Sequence, residues 1–352
     1  GANNIALGYY ALRNNTTANW NVAVGYAALG TNTTGYGNVA IGYQALYDQT
    51  TGGPNTAVGQ SALANNTTAW GNTSIGYYSS HNNTTGANNC ALGNEALEAN
   101  TTGAQNTGLG FRALEANTTA SNNTAVGYLA LTANTTGTGN VAVGVQALEN
   151  NNGNYNTAIG LQALDTCTTG ANNTSVGYYS SYSLTTGTKN TALGQSALEG
   201  CTDGTNNVAI GYETGTADWG DNNVAVGYRA LKLNTASENT AIGTSTLGAN
   251  TTGAQNTAVG NAALDGNTTG SSLTAVGNGA LGANTTGNVS TAVGYNALNS
   301  ITTNGGCTAV GYQALLLTTG ENNTGVGKDA LTANTSGAYN TAVGHSALDA
   351  NT

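Results

Sequence analysis

The chain has 352 residues, of which 6 are Lys or Arg and 16 are Asp or Glu, giving a formal net charge of −10. Charged residues make up 6% of it, against about 25% in typical soluble domains, and six scattered cations are too few to hold a phosphate backbone, which removes nucleic acid from the expected partners. No run approaches the ~20 apolar residues that span a bilayer, no signal peptide is visible at the N-terminus, and with a single proline (Pro54) and little charge the chain does not read as disordered.

An internal repeat covers the whole sequence. One glycine recurs 21 times, from Gly8, Gly25, Gly42 and Gly59 through to Gly344, spaced by 17 residues sixteen times and by 16 residues four times. With that glycine as position 0, the consensus reads N-T-A-V-G-Y-x-A-L-x-x-N-T-T-G-x-x. Taken in chain order, position −4 is Asn in 18 copies (Asn21, Asn38 onward), with Leu273, Ser290 and Cys307 as departures. Position −2 is always small: Ala in 17 copies, then Ser74, Ser175, Gly108 and Gly325. Position −1 is Val, Ile or Leu in all 21 copies, among them Val24 and Ile41. Position +4 is Leu in 18 (Leu29, Leu46 onward), the exceptions being Ser80, Ser181 and Gly215. Length varies only between that Leu and the next recurring Asn, as expected of a loop.

The N-T-A-V-G run alternates with period two and predicts a short strand. The A-L pair that follows predicts a second extended segment, and N-T-T-G predicts a turn. A 17-residue unit cannot bury its own apolar face, so it must stack on its neighbours. Helix-pair repeats need about 33 residues and are excluded. The expected fold is therefore all-β: a parallel β-solenoid or β-roll with one coil per repeat. It would form one continuous repeat domain over residues 1–352, a rod of roughly 100 Å at ~4.8 Å per coil. Stacked Asn side chains are expected to hydrogen-bond along the axis. Both faces of the strand carry apolar columns. Either Val and Leu fill the interior beside a bland Ala/Gly face, or one face is a core between subunits; a thin coil favours the oligomer. The chain starts and stops in phase with its repeat and without capping units, which points to a slice of a longer protein or to an end-to-end filament.

The segments NVAVG (21–25, 140–144, 223–227), NVAIG (38–42, 207–211) and NTAVG (55–59, 256–260) resemble the S-V-A-I-G-type repeats of trimeric autotransporter adhesin heads. The longer NTAVGYLALTANTTG (123–137) is similar to repeats of phage tail-fibre and bacterial surface-fibre proteins. The resemblance covers all the repeats. It implies a homotrimeric, left-handed β-roll fibre on a virion or cell surface that serves attachment, and it transfers no catalytic residues. The adhesin-head repeat is usually shorter than this one.

Nothing in the sequence assembles a catalytic, cofactor or metal site. His81 and His345 stand in different columns, no phosphate-binding G-x-x-x-x-G-K-[ST] occurs, and the acidic residues fall mostly in the variable loop rather than in a calcium repeat. Cys167 and Cys201 share a column two repeats apart, ~9.6 Å by coil spacing and beyond disulfide reach. Tyr or Phe111 occupies position +1 in eleven copies, which reads foremost as a residue stacking on itself at a sheet corner and secondarily as a binding strip. Trp20, Tyr36, Trp70 and Trp219, with Tyr155 and Tyr339, fall in the variable turn and are the candidate contacts for a cell-surface glycan. The N-T-T turns form N-x-T sequons, so Asn32, Asn117 and Asn250 are candidate glycosylation sites. The expected function is a non-enzymatic, extracellular structural fibre or adhesin rod. The alternative is an ice-binding solenoid using stacked Thr and Asn ladders.

Overall fold

The computed structural model describes residues 1–351. It divides into a first unit, Gly1–Asn173, and a second unit that begins at Thr174. The first holds ten three-residue strands, β1 (Ile5–Leu7) to β10 (Thr157–Ile159), and the second eleven, β11 (Thr174–Val176) to β21 (Thr341–Val343). Neither contains a helix among the described residues. Within each unit every strand pairs in parallel with its sequence neighbours, and like pairs with like: Val22, Ala23 and Val24 with Val39, Ala40 and Ile41 in the first, Thr257, Ala258 and Val259 with Thr274, Ala275 and Val276 in the second. Each unit is a parallel β-solenoid with one repeat per coil.

The backbone ladder continues far beyond those three residues. In successive coils the Ala27 N–H donates to the Tyr9 carbonyl (2.8 Å), the Leu29 N–H to the Ala45 carbonyl (3.1 Å) and the Thr33 N–H to the Thr50 carbonyl (3.0 Å). Such continuous pairing locks register, because a slip of one residue would turn every inward side chain outward.

The expected second extended segment is instead a turn. Positions +2 and +4 both have positive φ, as at Ala27 (54°) and Leu29 (52°), so N–H groups point alternately toward the preceding and the following coil. A left-handed Leu costs about 1–2 kcal/mol. Burying its side chain gains about 1.5–3 kcal/mol, and these leucines are almost all fully buried. Burial wins, and the chain accepts the strain in coil after coil.

The recurring glycine is required by a close approach. Gly127 has φ of 143°, and a Cβ placed on it would overlap the carbonyl of Gly144 in the next coil. Only hydrogen leaves the two backbones room to stack.

The apolar columns are arranged otherwise than as Val and Leu inside with Ala and Gly outside: Leu is inside, but Ala is inside with it and Val is not. The interior is filled by Ala at −2, Ala at +3 and Leu at +4, together with two columns of Asn. The β-branched residues at −3 and −1 point outward, giving the strands their half-buried, buried, half-buried pattern. The Asn columns are the polar part of the core. At −4, the Asn38 backbone N–H donates to Asn21 Oδ1 (2.9 Å), while Asn21 Nδ2 crosses its own coil to the Gly35 carbonyl (2.9 Å). At +7, Asn117 donates to Asn100 (2.8 Å) and Asn100 to Asn83 (2.7 Å). The second ladder is interrupted at Ile301, which follows Asn284 and leaves Asn284 Oδ1 without a partner among the described residues.

Two kinds of departure from the consensus are compensated inside single coils. Where Ala and Leu become Ser, all three change together, and Ser175 hydrogen-bonds both Ser180 (2.9 Å) and Ser181 (2.8 Å). Where Leu becomes Gly215, the Trp219 ring takes up the space, and a Cβ at Gly215 would overlap it.

Candidate interaction surface

The strand turns outward the side chains at −3 and −1, and Tyr at +1 extends the same side of the coil. At −3, Thr occupies 14 of the 21 copies. At −1 the aliphatic side chains are partly exposed within coils that have neighbours on both sides, most in Ile41 (39%), Ile159 (41%) and Leu92 (51%) and less in Val24 or Val126. An apolar column that meets solvent at every rung is unusual for a monomer, which scatters its exposed apolar residues singly.

The aromatic column stacks on itself. Tyr26 lies on Tyr43 with ring centroids 5.2 Å apart and planes 9° apart; Phe111 on Tyr128 (5.4 Å, 11°), Tyr212 on Tyr228 (5.7 Å, 7°) and Tyr295 on Tyr312 (5.2 Å, 14°) repeat the arrangement. Cations cap several rings, Arg112 over Phe111 (5.2 Å) and Arg229 over Tyr228 (4.9 Å) among them. Stacking covers the ring faces and leaves edges and hydroxyls to solvent, so this column presents a polar-edged ridge beside the aliphatic one.

The residues singled out from the sequence fall into three groups. Gly8, Gly25, Gly42 and Gly59 form the close-approach column, Leu29, Leu46, Asn21 and Asn38 line the interior, and Val24 and Ile41 belong to the outward ladder. Trp20, Tyr36 and Trp70 are exposed, at 62%, 53% and 55%. Trp219 is not: it is 1% exposed and its indole N–H donates to the Leu231 carbonyl (3.1 Å). It is a core residue that replaces a missing leucine and cannot touch a glycan. Asn32, Asn117 and Asn250 are fully buried, with their side-chain nitrogens donated to the Gly35, Ala120 and Gly253 carbonyls. A sugar on any of them is incompatible with this packing. The sequons are by-products of the +7 ladder.

One cluster was invisible in the linear sequence. Positions +2 and +5 of adjacent coils meet, which brings Glu95, Glu98 and Glu115 together with carboxylate oxygens within 4.8 Å of one another. Arg112 sits among them, 2.6 Å from Glu95 and 3.6 Å from Glu115. Burial and the two neighbouring carboxylates raise the Glu98 pKa. The guanidinium neutralises much of this charge, and the group is a local ion network. The four cysteines are free thiols. Burial pushes Cys167 and Cys201 up to about 12, far from the thiolate that would react. No protein-family model matches the chain, and no curated protein matches it.

Proposed function

We propose that the chain is part of a non-catalytic attachment fibre, extracellular on a cell or virion surface, whose coils assemble side by side as a homo-oligomer. The observation that carries this is the outward ladder at −1. It is aliphatic at every one of the 21 rungs yet partly exposed in a single chain. A second copy presenting the same columns at the same ~4.8 Å spacing would bury it rung for rung, and symmetric closure is the usual route for such a stripe. The likeness of the NTAVG repeats to trimeric autotransporter heads and tail fibres supports a trimer. Low charge suits the role, since one charge repeated every ~4.8 Å would repel.

Sedimentation equilibrium tests the assembly. The expected result is three times the chain mass, reduced to one chain mass by Val126→Asp with Val143→Asp at unchanged circular dichroism. A wild-type chain that stays monomeric at milligram-per-millilitre concentration removes the proposal.

A different observation favours ice binding as a second reading. Seven consecutive coils, from Thr240 to Thr341, carry outward Thr at −3, a regular hydroxyl row on a paired strand face. The Thr and Asn of the N-T-T turn are less suited, because Asn is buried and the first Thr hydroxyl donates to the next coil, as Thr84 does to Thr101 (3.0 Å). Thermal hysteresis in concentrated solution would support this reading, and its absence would dismiss it.

A further inference from the structure

Two clefts, one in each unit, lie in the same columns. In the first unit a cleft of about 170 Å³ lies over Ala27 and Gly30, small residues at +2 and +5 of one coil. The preceding coil places Tyr10 and Arg13 at those positions, and the following coil Gln44 and Tyr47. The second unit repeats the device: an opening of about 280 Å³ where Ser245 and Gly248 follow Arg229 and Lys232, with Asp265 on the far side. A rung of small residues between rungs of large ones makes a hole in the ladder. The two holes differ in charge. Arg229 and Lys232 are both held by Glu213, at 2.8 and 2.6 Å. Arg112 and Lys328 are likewise ion-paired. Arg13 lies over the Tyr10 ring, 4.4 Å from its centroid.

We infer that the cleft between Tyr10, Arg13 and Tyr47 binds a carboxylate-bearing pyranose, a uronic or nonulosonic acid residue of a surface polysaccharide. A planar guanidinium lying on an aromatic ring is oriented in advance and accepts a carboxylate bidentately. The tyrosine rings offer apolar surface and hydroxyls to a sugar ring, with Ala27 in the floor and the Tyr47 ring packed onto Gly30. Asn14 and Gln44, at the rim, supply amide donors and acceptors for sugar hydroxyls. The cleft lies at +2, +5 and +6, columns other than the outward strand columns −3 and −1. This inference names the ligand of the attachment surface and rests on that reading, but its test does not depend on assembly.

The test titrates the intact chain with glucuronate, N-acetylneuraminate and methyl β-glucoside, followed by saturation-transfer NMR and calorimetry, with sedimentation recorded on the same samples. One or both acids should bind at millimolar concentration and the neutral glucoside about tenfold more weakly; which acid binds tighter identifies the source. Arg13→Gln should abolish the preference for the acids while circular dichroism is unchanged, and Ala27→Phe should abolish binding of all three. Arg229→Gln, in the second cleft, should leave acid binding intact. Equal binding of acid and neutral sugars, no binding at millimolar concentration, or an Arg13→Gln chain with wild-type preference would each overturn the inference. A monomer that still binds the acids leaves this site standing and removes only the oligomeric fibre.

Discussion

The inward and outward columns of a single three-residue strand obey different rules. The inward Ala is fully buried, and its neighbours Leu and Asn sit where volume and hydrogen bonds must both be satisfied. When an inward residue changes to a polar or much smaller one, others in the same coil can change with it, as Ser175 with Ser180 and Ser181, or Gly215 with Trp219, though Gly108 and Gly325 stand alone. The outward −3 and +1 columns tolerate far more variety: Thr, Val, Ile or Cys at −3, and Tyr, Phe, Gln, Asn or Lys among others at +1. Yet the outward −1 column is restricted to Val, Ile and Leu throughout. Packing within one chain does not demand that, which is why it is the column to watch for a partner.

The sharpest way to separate inward from outward constraint is the glycine. Gly127→Ala puts a methyl into the Gly144 backbone and should cost about 4 kcal/mol or more, seen as loss of cooperative melting. Gly344, whose nearest neighbour to a new Cβ is the Ala347 side chain at 3.8 Å, should lose only the conformational part, about 1–2 kcal/mol. Similar losses at both sites would show that backbone conformation, not coil-to-coil approach, demands glycine. Next, Trp219→Ala should open a core cavity and cost about 3–5 kcal/mol in chemical denaturation. A change below 1 kcal/mol would mean the ring is not filling the Leu column's space.

A smaller effect comes from acid. Burial and the Glu149 carboxylate raise Asp165 to about 6, against about 3.9 unfolded. The folded chain therefore binds the extra proton, and stability rises as pH falls through about 6 and levels off near 4, by on the order of 1 kcal/mol after solvent screening. Glu213 acts oppositely: Lys232 and Arg229 hold it at about 2, so its contribution is present above the unfolded value of about 4.3 and fades as pH drops toward 2. Melting temperature should peak between these windows. Asp165→Asn should remove the rise between pH 6 and 4. The smallest effect belongs outside: Val126→Thr should change single-chain stability by less than about 0.5 kcal/mol, whereas a large loss would place that side chain in a core.

How much was legible beforehand follows from which residues speak locally. The 17-residue recurrence of Gly8, Gly25 and Gly42, the strand at positions −3 to −1 and the stacking of Asn21 on Asn38 could all be read from spacing alone. So could the self-stacking of Tyr26 on Tyr43. The left-handed Leu29 could not, because propensity disfavours it and only burial in the finished coil outweighs the strain. Trp219 was misread as exposed for a related reason: its partner is a vacancy four residues earlier, at Gly215, which matters only once the interior is closed. Asn32, Asn117 and Asn250 carry a sugar-acceptor signature, and only the closed coil turns them inward.

Sequence by itself determined the repeat, the parallel pairing and the register, because one residue type recurring at one interval can satisfy backbone and side chain only by stacking on itself. The three-dimensional structure decided which apolar columns are inside. Ala at −2 and +3 and Leu at +4 fill the narrow coil, and strand alternation turns the residues at −3 and −1 to the other face. It also decided which gaps stay open, since the Tyr47 ring packs onto Gly30 and leaves a cleft bounded by Tyr10, Arg13 and Tyr47.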